Sequence, residues 1–138
     1  MNKIRVLIVD DEESLTRLLK MGLEATHLYE VHVENLASRG VGAALKYNPD
    51  IILLDVMMPE MTGGDVAAEI RKYPLIRNTP IVFLTAAVKS SEVEKSGGMI
   101  GGFQYLAKPA DLDTVMECID RVLSRREASS PKHTTPSS

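Results

Sequence analysis

Three aspartates stand at the ends of apolar runs, where packing alone gives a carboxylate no role. Asp10 and Asp11 follow the first such run of the chain, and Asp55 follows the third. Thr85 ends the next run, and Lys108 directly follows the last. The carboxyl ends of parallel strands share one edge of a sheet. If these runs are parallel strands, three carboxylates, a hydroxyl and an ammonium converge at that edge.

The three carboxylates suit a divalent cation. Carboxylate oxygens are the hard ligands that Mg²⁺ prefers, and without a cation the three groups would repel one another and raise one another's pKa. A simpler interpretation stays open for Asp10 and Asp11, because acidic residues between a strand and a helix favour the positive end of the helix dipole. The residue types alone are compatible with both interpretations.

Asp55 is a candidate nucleophile, because a carboxylate is ionised near neutral pH and attacks phosphorus without a general base, giving an acyl phosphate. Phosphoryl transfer depends mainly on positioning and electrostatics. Lys108 would therefore neutralise charge on the transferred group, and the Thr85 hydroxyl would donate to one of its oxygens. Ordinary alternatives stay open: a turn-forming acid, a solvated lysine before Pro109, a β-branched strand residue and, for Tyr105, core packing.

The elements that must position these residues alternate between apolar runs and helical patterns five times. This alternation argues for an α/β domain with a parallel sheet. Strands are predicted at residues 4–9, 29–34, 51–54, 81–84 and 103–107. Helices are predicted at about residues 13–25, 37–47, 65–72, 89–95 and 111–123.

Composition narrows the class of protein. The chain has 138 residues, of which 44% are hydrophobic, enough for one packed domain. Cys118 is the only cysteine, so neither a disulfide framework nor a cysteine-based zinc site is expected. We expect a reducing, cytoplasmic setting instead. A net charge of -3 without a basic, aromatic-rich block argues against direct nucleic-acid binding. No signal peptide and no run of about 20 apolar residues is found, so no membrane span is expected.

The C-terminal segment differs in composition from the rest. From Ser124 onward the chain is rich in serine, threonine, proline and charged residues, and it offers almost nothing to bury. Ordering such a segment costs conformational entropy with little return. We therefore predict a folded domain over residues 1–124 and a disordered tail over residues 125–138, too short for a second folded domain.

Together these motifs resemble the receiver domain of two-component response regulators, in its single-domain, chemotaxis-regulator-like form. The similarity covers about residues 3–124. The segments that carry it, in family order and spacing, are Val9-Asp10-Asp11-Glu12, Asp55-Val56-Met57-Met58-Pro59-Glu60-Met61-Thr62-Gly63, Thr85-Ala86 and Tyr105-Leu106-Ala107-Lys108-Pro109. The resemblance implies a flavodoxin-like, doubly wound α/β fold with a five-stranded parallel sheet in the order 2-1-3-4-5 and five helices.

The resemblance also implies a metal-dependent phosphoacceptor. Asp55 would accept a phosphoryl group from a phosphohistidine of a sensor kinase or a histidine phosphotransfer protein. Asp10, Asp11, Asp55 and the backbone carbonyl of Met57 would hold Mg²⁺ or Mn²⁺. Such a domain is a signalling module rather than an enzyme, since it catalyses only its own phosphorylation and dephosphorylation.

In the same family pattern Thr85 and Lys108 would bind phosphoryl oxygens, and Thr85 and Tyr105 would form the switch. Phosphorylation would reshape the face made by the fourth helix, the fifth strand and the fifth helix, which would then control a downstream protein. In physical terms, the domain would have two conformations, and the charge of the new phosphoryl group would shift the equilibrium between them. The kinase, the target and the oligomeric state are not readable from the sequence.

Two other classes of function fit the sequence less well. An aspartate-nucleophile phosphatase would carry Asp-x-Asp after its first strand and a large cap, whereas here Asp55 follows the third strand. A pure interaction domain or a flavodoxin-like cofactor binder would not need the acidic set, and no Gly-rich phosphate loop follows the first strand.

The chain departs from the family pattern in three places. Thr62 stands where the family commonly has Asp or Asn, so the turn there is expected to differ in detail. The glycine-rich run 97–102 predicts that the preceding helix is short or mobile. Met57 and Ala87 lie two residues after Asp55 and Thr85, where polar side chains would orient a hydrolytic water, so we expect a long-lived acyl phosphate.

Overall fold

The central sheet of the computed structural model, which describes residues 2–86, 99–100 and 103–129, has the strand order β2-β1-β3-β4-β6-β5. Its strands are β1 (Ile4–Val9), β2 (Tyr29–Glu34), β3 (Ile51–Asp55), β4 (Ile81–Thr85), β5 (Met99–Ile100) and β6 (Phe103–Ala107). The first four and β6 pair in parallel, and only β5 is antiparallel to its neighbour. With β6 as the fifth parallel strand, the predicted doubly wound order 2-1-3-4-5 is confirmed.

Helices cover both faces of this sheet. They are α1 (Glu13–Ala25), α2 (Gly40–Tyr47), α3 (Gly63–Ile70) and the C-terminal helix (Leu112–Ser129), with a 3-10 turn at Ala37–Arg39 before α2. One apolar core joins the sheet to α1 and the C-terminal helix, and the other joins it to α2 and α3. The predicted fourth helix, at residues 89–95, lies outside the described residues.

Burial on both faces explains the strand sequences. All five residues of β3 and all five of β4 are buried, as the near-continuous apolar runs of a covered parallel sheet require. The edge strand β2 instead alternates, with Tyr29 and Val31 buried and Glu30 and His32 exposed. The central strands are therefore buried up to their carboxyl ends, where the predicted site residues stand.

The structure corrects two predicted boundaries and adds one strand. The C-terminal helix continues to Ser129, beyond its predicted end at residue 123, because residues such as Arg125 and Arg126 are good helix formers. α3 begins at Gly63 rather than Asp65. The sheet has a sixth, two-residue strand, β5, that was not predicted. Residues 130–138 of the predicted tail lie outside the described part.

Within the described residues, no helix is both long enough and apolar enough to cross a membrane.

Candidate functional site

The predicted site residues lie at the carboxyl edge of the sheet. Val9 of β1 is in register with Leu54 of β3, so Asp10 and Asp55 follow at the same height. Thr85 ends β4 in register with Ala107, the last residue of β6. The backbone N–H of Lys108 donates to the Thr85 carbonyl at 2.9 Å, which extends that pairing by one residue. Parallel pairing thus brings four separate loops to one place.

Asp10, Asp11 and Asp55 form a compact acidic cluster. One carboxylate oxygen from each lies within 4.8 Å of those of the other two. Asp10 is fully buried and Asp55 is 3% exposed, whereas Asp11 is exposed. The predicted convergence of the three carboxylates is therefore confirmed, with two of them held away from water.

Hydrogen bonds hold Asp10 in place. Its backbone N–H donates to the Glu34 carbonyl at 3.2 Å, and the Asn35 side-chain amide donates to its carbonyl at 2.7 Å. Asn35 also donates to the Thr16 hydroxyl at 3.1 Å, which ties the loop after β2 to α1. The Asp10 Oδ1 accepts the backbone N–H of Glu12 at 2.9 Å. Asn35 is thus a supporting residue that the sequence did not reveal.

Lys108 lies among carboxylates. Its Nζ is 2.9 Å from Asp10 Oδ2, 2.7 Å from Glu12 Oε1 and 3.4 Å from Asp55 Oδ1. Its side chain is only 12% exposed. The Lys108-Pro109 peptide bond is cis, the less common state for such a bond. The structure therefore brings Lys108 to the acidic cluster, as the sequence predicted.

The electrostatics of Asp55 and Lys108 differ. Burial, and then the neighbouring Asp10 carboxylate, raise the pKa of Asp55 to about 6, against the opposing effects of Lys108 and the Met57 N–H. Burial acts to lower the pKa of Lys108, but the carboxylates of Glu12 and Asp10 outweigh it and raise that pKa above its usual value. Lys108 therefore stays protonated at neutral pH, whereas the Asp55 carboxylate takes up a proton at a higher pH than an ordinary aspartate does.

The loop from β3 to α3 packs closely against Asp55. The Met57 N–H donates to Asp55 Oδ1 at 3.3 Å, and the Gly63 N–H donates to the Val56 carbonyl at 2.9 Å. A Cβ at position 63 would lie 2.5 Å from the Asp55 carbonyl oxygen, so only glycine fits there. The Met57 side chain is 70% exposed. Its predicted role through the backbone carbonyl stays a prediction.

Thr62 gives this loop a defined end. Its hydroxyl accepts the Asp65 N–H at 3.1 Å, and the Asp65 carboxylate accepts the Thr62 N–H at 3.1 Å. This capping box fixes the start of α3. The departure of Thr62 from the family pattern thus has a local structural explanation.

Tyr105 lies to one side of the cluster, in an aromatic group. Its ring centroid is 5.3 Å from that of Phe83, which makes an edge contact with Phe103 at 5.9 Å. Tyr105 is half-buried and helps to line a cavity of about 520 Å³ beside α3. Thr85, at the end of the strand that carries Phe83, is 2% exposed. The two predicted switch residues therefore lie on adjacent strands, and their switching stays a prediction.

The acidic cluster fits a hard divalent cation. Asp10 Oδ2 is buried and accepts no well-formed hydrogen bond from the described residues; its neighbour is the Lys108 ammonium. A buried carboxylate oxygen in this state has coordination capacity to spare. With oxygens of Asp11 and Asp55 nearby, the donor set consists of carboxylates alone, which suits Mg²⁺ or Mn²⁺ and not softer metals.

Comparison with known proteins agrees with this geometry. The response regulator receiver domain matches residues 6–120. The response regulator ArlR of Staphylococcus saprophyticus is 34% identical over 123 residues, and ArlR of Staphylococcus aureus is 36% identical over 124 residues. Each alignment covers 88% of this chain and 53% of the relative, so the chain spans about half the length of these curated relatives.

Solved structures give the same result. The chemotaxis protein CheY4 of Vibrio cholerae has a TM-score of 0.74 at 29% identity, over 88% of this chain and 99% of that one. The receiver domain of the Francisella response regulator 1452 has a TM-score of 0.71 at 25% identity, over 90% and 99% of the two chains. Since the family match extends over most of its length, the chain belongs to the response regulator receiver domain family.

Proposed function

We propose that this receiver domain accepts a phosphoryl group on Asp55 from a phosphohistidine of a sensor kinase or a histidine phosphotransfer protein. One observation supports this above all others. The buried Asp55 carboxylate lies 3.4 Å from the Lys108 ammonium and next to two further carboxylates, at the carboxyl edge of the sheet. A signalling domain of this family is not a conventional enzyme, and its chemistry is confined to its own phosphorylation and dephosphorylation.

The transfer itself needs little covalent assistance from the protein. A carboxylate oxygen of Asp55 attacks phosphorus, the new P–O bond forms as the P–N bond to the donor imidazole breaks, and the bonding electrons leave with the imidazole nitrogen. The Lys108 ammonium balances negative charge on the phosphoryl oxygens. Thr85 is proposed to donate its hydroxyl to one of those oxygens.

Asp10, Asp11, Asp55 and the Met57 carbonyl are the residues that would hold Mg²⁺ or Mn²⁺. When bound, the cation supplies positive charge to the transferring phosphoryl oxygens. The residues of the chain do the rest: Asp10 stays buried and fixed by Asn35, and the Met57 N–H orients the Asp55 carboxylate. The Lys108 ammonium opposes the effect of burial and of Asp10 on the pKa of Asp55, and so favours the ionised, nucleophilic form of Asp55.

The output of the domain is proposed to be a change of surface. Thr85 would move towards the phosphoryl group and Tyr105 would turn inward, altering the face formed by the fourth helix, the fifth strand and the fifth helix. In this protein the fifth strand is β6, and the C-terminal helix stands in the place of the fifth helix. We propose that this face controls a partner protein rather than nucleic acid.

Cys118, a free and buried thiol, supports a reducing, cytoplasmic setting.

The proposal is tested by incubating the protein with acetyl phosphate and Mg²⁺ and measuring its intact mass. We expect the addition of one phosphoryl group, lost when Mg²⁺ is chelated and lost in Asp55→Asn. Asp120→Asn, which removes an exposed carboxylate on the C-terminal helix, is the matched control and should be modified like the wild type. Unchanged modification of Asp55→Asn would refute the proposal.

A further inference from the structure

We propose that Glu12 is a positioning residue, which holds the Lys108 ammonium in the unphosphorylated protein and must release it when a phosphoryl group arrives on Asp55. This inference rests on the proposed function of Asp55 and adds a regulatory contact to it. Glu12 belongs to the first acidic motif of the chain, but neither the predicted metal set nor the predicted phosphoryl-binding set includes it.

The contact between the two side chains is the first observation. Glu12 Oε1 and Lys108 Nζ lie 2.7 Å apart across 96 positions of sequence, closer than either of the other two carboxylates to this lysine. The Glu12 side chain is 58% exposed, whereas that of Lys108 is 12% exposed. Glu12 therefore reaches from the rim of the site to a cation that is otherwise enclosed.

The position of Glu12 in the chain is an independent observation. It is the N-cap residue of α1, with an extended backbone, yet its side chain makes no capping hydrogen bond. N-cap positions favour Ser, Thr, Asp and Asn because their short side chains reach the first free N–H groups of the helix. A glutamate there gives up capping, and its carboxylate contacts Lys108 instead.

The three partners of Lys108 differ in what they would lose on release. An ammonium has three hydrogens to donate, and here it is surrounded by Asp10, Glu12 and Asp55. Asp10 is fully buried, so leaving its carboxylate unpaired is costly. Glu12 is exposed enough to be rehydrated. It is therefore the partner that a phosphoryl oxygen displaces most readily.

Removing the Glu12 charge should make a phosphoryl mimic bind more tightly. The test is the dissociation constant of beryllofluoride at saturating Mg²⁺, measured by titration calorimetry for the wild type, Glu12→Gln and Glu13→Gln. Glu13 is the next residue, is exposed and carries the same charge, so it controls for a general change of field. We expect Glu12→Gln to bind about two- to fivefold more tightly, the range of a partly exposed ion pair, and Glu13→Gln to stay close to the wild type.

The lysine itself gives a second readout. In ¹⁵N-labelled protein without beryllofluoride, the Lys108 NH₃⁺ signal should be sharp in the wild type and in Glu13→Gln, because the ion pair slows hydrogen exchange, and should broaden in Glu12→Gln. Equal affinities and equal signals in the two variants would overturn the role of Glu12. Failure of the wild type to bind beryllofluoride would instead overturn the proposed function of Asp55.

Discussion

The two loops that lead from the sheet into helices at the site begin those helices in opposite ways. The loop after β3 ends in Thr62, whose hydroxyl and backbone N–H both take part in a capping box with Asp65. The loop after β1 ends in Glu12, whose side chain caps nothing and instead contacts Lys108. The loop after β3 thus stabilises the start of its own helix. The loop after β1 gives up that local stabilisation for a contact with Lys108 at the site. Its helix is supported instead by Asp10, which accepts the Glu12 N–H.

The difference between the loops separates the residues that stabilise the site from those that take part in its chemistry. Support comes from groups that fix backbone, such as Asn35, Thr62 and Gly63. The chemistry comes from charged groups held close together, such as the carboxylates of Asp10 and Asp55 and the ammonium of Lys108. Charges gathered in this way are expected to cost stability in the unliganded protein.

The largest expected effect is the dependence of stability on pH without divalent cations. Because the folded-state pKa of Asp55 is raised to about 6, the native carboxyl keeps its proton at pH values where the unfolded one, near its ordinary 3.8, has lost it. The native state then binds more protons, so the contribution of Asp55 to the free energy of unfolding falls as pH rises from about 4 to 6, by about 3 kcal/mol at most.

Urea unfolding of metal-free protein between about pH 3.5 and 6.5, a range that spans both pKa values, compared with Asp55→Asn, measures this contribution. The variant should show a flatter profile and gain stability relative to the wild type towards neutral pH. Parallel profiles for the two proteins would show that the pKa of Asp55 is not raised in the folded state.

Gly63→Ala is expected to have the next largest effect. The new Cβ would meet the Asp55 carbonyl oxygen at 2.5 Å, and neither backbone can give way without moving the phosphoacceptor. We expect a loss of about 1–3 kcal/mol in the free energy of unfolding and slower phosphorylation. Gly64→Ala is the matched control, since its Cβ would meet only the Thr62 hydroxyl at 3.6 Å. Equal denaturation midpoints for the two variants would show that the close approach is not restrictive.

Thr62→Ala and Glu12→Ala test the comparison of the two loops directly. Loss of the capping box should cost about 1 kcal/mol. Loss of Glu12 removes no cap. It breaks the partly exposed ion pair with Lys108 but also relieves repulsion within the acidic cluster, so its net cost should stay within about 0.5 kcal/mol. Chemical denaturation of both variants gives the two values side by side, and a larger cost for Glu12→Ala would reverse the interpretation of the loops.

The smallest effect concerns the lifetime of the acyl phosphate. The exposed Met57 side chain offers no good hydrogen bond to an attacking water, so Met57→Asn should shorten the half-life, by about tenfold or less, the range that one added hydrogen bond gives. The measurement is loss of the phosphoryl mass with time after removal of the donor. An unchanged half-life would refute this idea. The companion position, Ala87, lies outside the described residues.

Much of the fold was predictable because strands covered on both faces read as apolar runs. The bounds of β1, α1 and β2 agree with prediction for this reason. The start of α3 was missed because glycines at 63 and 64 suggest a turn, and the capping pair has Asp at a position where Glu is the usual signal. β5 has two residues, too few to show any periodicity.

The site was predictable in part for a different reason. Parallel topology places all strand ends at one edge, so residue types at those ends were enough to predict that the cluster forms. Contacts between loops were not predictable, since the pairing of Glu12 with Lys108 and the anchoring of Asp10 by Asn35 depend on how distant segments pack. Glu12 did carry a faint signal, an unsuitable residue at a helix start, which is informative only once the helix boundary is known.

Locating the phosphoryl group in the chain tests whether Asp55 is the phosphoacceptor. Protein treated with acetyl phosphate and Mg²⁺ is reduced with borohydride, which converts an aspartyl phosphate to homoserine, and its peptides are then sequenced by mass spectrometry. We expect homoserine at position 55 alone. Reduction at Asp10 or Asp11, or an acid-stable phosphate on a serine or threonine, would show that Asp55 is not the phosphoacceptor.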